Sequence, residues 1–228
     1  MAQERLIIHS SLKDQVYEYL RHQMKIGEIR HDSVINMDST SKKLGVSKTP
    51  LRDALLQLEM EGFVIVLPRR GVIVNRLTLQ DIKDYYQILG ALESTAIIAA
   101  SEILKRPDIN KMERLNEGMK KAIEKDNFDA FYERNLMFHD VYINQAGNKM
   151  LRKTVDVLKK RLYDFPRREG YIREWEETSI KEHQQLVNYL AERKFLNAAN
   201  FIRDVHWSFK VQEKFIKKYY FIKEKNEG

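Results

Sequence analysis

Cysteine is absent from all 228 residues. That excludes disulfides, thiol nucleophiles and cysteine-based zinc sites together. No apolar run approaches the roughly 18–20 residues that a membrane-spanning helix needs. The first ten residues carry Glu4 and Arg5 and lack the apolar core of a signal peptide, so a cytoplasmic, non-membrane protein is expected. No Walker motif, dinucleotide fingerprint or serine–glycine elbow appears. Internal repeats and low-complexity tracts are missing too. Nor is charge concentrated: the net charge is +7, and the chain through Arg76 holds 12 basic against 9 acidic residues. A basic balance favours nucleic acid or another anionic partner, but here it does not locate the contact.

What is present is helical punctuation. At about 100–200 residues per domain, this length allows one large or two modest domains. Ser11 and Asp14 stand at capping-box spacing ahead of Leu12, Val16, Tyr19, Leu20 and Met24, and Gly27 closes that helix. A short helix is expected over 39–44, with a turn at Gly45. Ser47 should then cap a helix running to about Glu61, with Pro50 tolerated in its first turn. Phe63–Leu67 and Val72–Val74, around Pro68-Arg69-Arg70-Gly71, read as a hairpin. Thr78 with Asp81 repeats the capping box. Beyond it, helices are expected over 79–104, 108–125, 128–145, 148–163, 172–192 and 195–222, punctuated by Pro107, Gly147 and Pro166. The expected fold is mostly α: a winged helix-turn-helix with a small β-hairpin over 1–76, then an antiparallel all-helical bundle over 77–228.

The stretch from Ser41 to Phe63 carries the first chemistry. Leu51, Leu55 and Leu58 recur on one helical face and must pack inward. Lys48, Thr49, Arg52 and Leu56 occupy another face near the helix N-terminus. Backbone N–H groups there attract phosphate, and arginine bonds guanine O6 and N7 with two hydrogens. The second helix of a helix-turn-helix docks in this way. Arg69 and Arg70 at the hairpin tip would reach phosphates or a minor groove.

The run LGVSKTPLRDALLQLEMEGFVIVLPRRGVIV, residues 44–74, closely resembles the winged-helix domain of the GntR family of bacterial repressors. Ser47, Lys48, Thr49, Pro50, Arg52, Asp53, Gly62, Arg70 and Gly71 match its pattern. The resemblance implies that Lys48 and Arg52 read bases or grip phosphates, that Thr49 contacts the backbone, and that Gly71 lets the wing approach closely. Two residues depart from it. The family usually has arginine at position 48, and lysine loses the bidentate fork. It also often has arginine on the preceding helix, where this chain has Asp38.

Residues 78–222 resemble the ligand-binding, or FCD, domain of the FadR-type branch. Leu92-Glu93, Asn135 to His139, Gly147-Asn148, Glu182-His183 and His206 carry that resemblance. The residues themselves place Asn135 and His139 on one helix face, four apart. His183 aligns with Leu186, Val187 and Leu190, and His206 with Ile202 and Phe209. A lone inward histidine is ordinarily a hydrogen-bonded core residue. Three of them, at the branch's spacing, point to a divalent metal, zinc or nickel, held by Asn135, His139, His183 and His206. The branch usually has aspartate at position 135, and an amide oxygen is a weaker ligand. Small carboxylates are the effectors the resemblance implies. The branch's arginine four residues before Glu93 is Leu89 here, which leaves Arg152, Arg161 and Arg203 as weak effector candidates. Phe128, Phe131, Tyr132, Phe138, Tyr142 and Tyr163 read as core.

The expected function is a homodimeric regulator, not an enzyme: a repressor that binds a double-stranded DNA operator under control of a small molecule. One rival is an architectural DNA binder with a purely dimerising helical domain. A metal-dependent hydrolase is the other. Glu182 is adjacent to His183 in sequence, so on a helix it points about 100° away from that histidine and is poorly placed as its base.

Overall fold

The computed structural model describes residues 11–67, 71–163 and 172–221. Two compact units divide the chain. One comprises Met1–Leu77 with Lys159–Arg168, and the other Thr78–Leu158 with Glu169–Gly228. Among the described residues no helix is long and apolar enough to cross a membrane.

The first unit opens with α1 (Leu12–Lys25), whose capping box forms between Ser11 and Asp14. Val16, Tyr17, Leu20 and Met24 are its buried stripe. The Tyr17 hydroxyl donates to Glu61 at 2.5 Å. Burial and that neighbouring carboxylate push the phenol's ionisation far above its ordinary value, so it stays a neutral donor. Next come β1 (Val34–Ile35), α2 (Met37–Leu44) and α3 (Lys48–Met60). Asn36 caps α2, which starts two residues before the expected 39, its side-chain oxygen accepting from the amides of Asp38 and Ser39. Gly45 ends α2 in the left-handed region at φ 64°, where a side chain would be strained. Ser47 stands at the N-cap of α3, but its hydroxyl makes no capping bond. The expectation that it caps the helix is met in position only.

β2 (Val64–Leu67) and β3 (Gly71–Val74) pair antiparallel, with Leu67 opposite Gly71. β1 adds to the other edge of β3, giving the order β1-β3-β2. This third strand is a finding beyond the expected hairpin. Val72 and Val74 turn inward and join Leu51, Leu55, Leu58 and Phe63 in the core. Pro68, Arg69 and Arg70 lie outside the described residues, as does Pro166. Arg161 belongs to this unit and is 1% exposed. Its Nη2 donates to the Asn75 carbonyl at 3.1 Å, and its guanidinium lies 5.2 Å from the Phe63 ring centroid.

Among the described residues the second unit is all helical. Its elements are α4 (Leu79–Ala99), α5 (Arg106–Glu124), α6 (Phe128–Gln145), α7 (Lys149–Tyr163), α8 (Arg173–Ala191), α9 (Phe195–Phe201) and α10 (Phe209–Phe221). The unit boundary falls within α7. The Thr78–Asp81 capping box starts α4 as expected. Pro107 sits inside the first turn of α5 rather than before it, where its missing N–H costs little. The helix expected over 195–222 is instead two helices joined by a π-helical turn, Ile202–His206. Such turns insert an extra residue and re-aim the side chains around them.

Candidate functional site

On α3 the two faces separate as their spacing requires. Leu51, Leu55 and Leu58 are buried. Ser47, Lys48, Thr49, Arg52 and Leu56 are exposed. The first turn of α3 therefore presents a hydroxyl pair and two cations to solvent. Lys48 Nζ stands 2.5 Å from Asp38 Oδ1, across from the first turn of α2. Arg52 lies at 4.0 Å from Asp53, a loose pair. Gly71, at φ 96°, occupies a conformation that a side chain would strain, and an added Cβ would also meet Val34 Cγ1 at 3.2 Å.

In the second unit three helical segments bring the three histidines together. Asn135 and His139 come from one face of α6, His183 from α8, and His206 from the last position of the π turn. The π turn rests on α4 at Gly90, where an added Cβ would meet Trp207 Cβ at 3.2 Å and Arg203 Cα at 3.3 Å. Glycine at this point is what lets α4 lie close enough to seat His206. One nitrogen from each of His139, His183 and His206 lies within 4.8 Å of the others. Small side-chain rotations would bring all three onto one ion.

Carboxylates hold two of the rings. His139 Nδ1 is 2.8 Å from Glu93 Oε2 and 2.7 Å from the Tyr142 hydroxyl, which itself donates to Glu93. All three residues are fully buried. His206 Nδ1 is 2.8 Å from Glu182 Oε2. Gln212 Nε2 donates to Glu182 Oε1 at 2.9 Å, and Trp175 Nε1 donates to Gln212 Oε1 at 3.0 Å. A carboxylate against Nδ1 fixes the proton there and makes Nε2 the lone-pair nitrogen, the usual outer arrangement of histidine metal ligands. The Asn135 side-chain oxygen is buried with no hydrogen-bond partner. An orphaned acceptor of that kind is costly unless something electropositive meets it. The donor set of three imidazoles and one amide oxygen suits zinc, nickel or a similar divalent ion.

Sequence reasoning brought Asn135, His139, His183 and His206 forward but missed their supports. Glu93 was a resemblance marker only, and Tyr142 an apparent core residue. Glu182 does turn away from His183, as its helical position requires, and it meets His206 instead. The three arginines weighed for an effector are engaged elsewhere. Arg152 is exposed beside Asp156. Arg161 contacts Asn75 and Phe63 in the first unit. Arg203 forms a two-pronged pair with Asp204, which holds that carboxyl below its ordinary range, and also bonds Asn200. Leu89, at the position of the missing arginine, is fully buried.

Comparison with known proteins accords with this geometry. A family model described as bacterial regulatory proteins, gntR family, matches residues 12–74, and one described as FCD domain matches residues 84–205. Among curated proteins, the chain is 26% identical over 181 residues to the uncharacterized HTH-type transcriptional regulator YdhC of Bacillus subtilis (strain 168), spanning 78% of this chain and 80% of the relative. It is 27% identical over 154 residues to the HTH-type transcriptional regulator McbR of Escherichia coli (strain K12), spanning 68% and 70%. It is also 26% identical over 200 residues to the gluconate operon transcriptional repressor of Bacillus subtilis (strain 168), spanning 86% and 81%. Among solved structures, E. coli McbR/YncC superposes with a TM-score of 0.67 at 21% identity, covering 90% of this chain and 95% of that one. A putative transcriptional regulator GntR from Rhodococcus sp. RHA1 does so at 0.68 and 14% identity, covering 91% and 98%. At such identities the structural matches speak for the fold alone.

Proposed function

The chain belongs to the GntR family of bacterial regulatory proteins and carries an FCD domain, and from that premise we propose that it is an effector-controlled repressor that reads DNA with the first turn of α3. The family's members are DNA-binding transcription regulators rather than enzymes. Residues 1–76 form the reading domain in this proposal, and 77–228 the domain that binds effector and pairs two copies in the cytoplasm. Lys48 and Arg52 enter the major groove, and Ser47 and Thr49 bond the phosphate backbone. Arg69 and Arg70, beside Gly71, supply the wing contact. Two copies related by a twofold axis would read two half-sites and so gain specificity.

The effector site is the histidine cluster. His139 and His206 would hold a divalent ion, zinc or nickel, through the nitrogens that Glu93 and Glu182 leave unprotonated, His183 would add the third imidazole, and the Asn135 oxygen a neutral ligand. The ion would supply a positive anchor for an oxygen donor such as a small carboxylate. With Asn135 bringing no charge and Leu89 no cation, that anchor would be the main attraction for an anionic effector. A ligand that binds one arrangement of the protein better than another shifts the balance between them by that difference. The observation that carries the reading domain is the exposed Lys48–Thr49–Arg52 face above a fully buried leucine stripe. Selection of bound duplexes from a random DNA pool tests it. A twofold-symmetric consensus that Arg52→Ala fails to enrich is expected. Unenriched recovery by the native protein would instead support an architectural binder.

A further inference from the structure

We propose that Asp38 and Lys48 act as one specificity-determining unit, which reads both bases of a single G·C pair in the major groove. This rests on the assignment of α3 as the reading helix and adds to it a residue of α2.

Lys48 is the first residue of α3, and Asp38 lies in the first turn of α2. Their side chains meet at 2.5 Å while remaining 66% and 76% exposed. A pair this exposed to water contributes little to stability, and α2 buries none of its residues. Holding the fold together is therefore a poor account of it. A carboxylate in contact with the ammonium must also go wherever the ammonium goes. If Lys48 enters the groove, Asp38 enters with it and brings a negative charge toward a polyanion.

That charge is repelled unless it finds a donor, and in the major groove the donors are the exocyclic amines. Cytosine presents N4–H₂ there, directly beside the O6 of its guanine, with N7 as a second acceptor on the purine. The ammonium of Lys48, with three N–H donors, suits the guanine edge. The carboxylate beside it accepts from cytosine N4. The protein thus offers a donor next to an acceptor, complementary to the acceptor next to a donor on the base pair. An A·T pair also sets an acceptor, adenine N7 or thymine O4, beside its N6 amine, but it gives the ammonium a single acceptor on that side where guanine gives N7 and O6 together, so it fits the pair less well. Asp38 has a second effect. It holds the lysine off the phosphates, where a lone flexible ammonium would otherwise settle without regard to sequence.

The test selects duplexes from a random pool with the full-length native protein, Asp38→Ala, Asp38→Asn and Arg52→Ala, and follows binding of the native consensus across salt concentrations. Asp38→Ala is expected to flatten the preference at one base pair per half-site by about tenfold, within the usual cost of a mismatch. Its salt dependence should steepen by about one phosphate contact per half-site as Lys48 moves to the backbone. Asp38→Asn is expected to move the preference at that same position toward A·T, because an amide bonds adenine N6 and N7 together. Base preferences in Asp38→Ala that match the native protein at every position would overturn the proposal. If Arg52→Ala keeps the native consensus, the assignment of α3 itself fails, which is a separate outcome.

Discussion

Lys48 and Asp38 pair in the open, whereas His139 and Glu93 pair with side chains at 0% exposure. The two regions use similar chemistry, a carboxylate aligning a nitrogen donor, in opposite surroundings. Water screens the first pair, so its loss barely touches the fold and its effect falls on what binds. Desolvation makes the second pair expensive to break, because removing one partner leaves a polar group buried without its complement. A reading surface that must change specificity over evolution can do so cheaply in the first setting. A sensing site that must keep three rings in register requires the second. The α4–π turn contact at Gly90 serves the same end, since it seats His206 by packing rather than by charge.

The contrast can be broken or sharpened by substitution, beginning with the largest expected effect. Glu93→Ala should cost about 2–6 kcal/mol of stability in urea unfolding, because the His139 N–H and the Tyr142 hydroxyl each lose a buried acceptor at about 1–3 kcal/mol apiece. A loss under 1 kcal/mol would show that the buried pair is as dispensable as the exposed one. Gly90→Ala should cost about 1–3 kcal/mol by overpacking against Arg203 and Trp207, and should weaken zinc or nickel binding in titrations that follow Trp207 emission. Trp207 is suited to report because its ring lies 5.3 Å from that of His206. Unchanged metal affinity would separate the π turn from the site. Arg52→Ala should weaken the selected duplex by about 1–3 kcal/mol while thermal unfolding moves by under about 0.5 kcal/mol. Last, two of the serine/threonine N-caps should differ. Thr78→Ala should cost about 1 kcal/mol, whereas Ser47→Ala, which removes no capping bond, should leave stability nearly unchanged and show only in DNA affinity.

Local rules explain what was legible beforehand. Both capping boxes, the buried leucine stripe of α3 and the inward face of each histidine follow from spacings of three and four residues. β1 was invisible because two residues carry no alternation, and its pairing with β3 is set by tertiary contact. The break at Trp207-Ser208 was hidden for the opposite reason. Apolar residues continue at helical spacing from Phe195 to Phe221, and only packing against Gly90 rewards the π turn. The supports of the histidine cluster were least accessible. Glu93 lies 46 positions from His139, and Glu182 lies 24 from His206. At such separations nothing local distinguishes a structural carboxylate from a solvated one. Adjacency even misled, since Glu182 is next to His183 and serves another ring.

Elemental analysis of native, untagged protein beside His139→Ala/His183→Ala tests the central claim about the sensing site most directly. The account predicts close to one divalent ion per chain in the native protein and none in the variant. A native protein that stays free of metal after zinc and nickel have been offered, with its fold intact by circular dichroism, would contradict it.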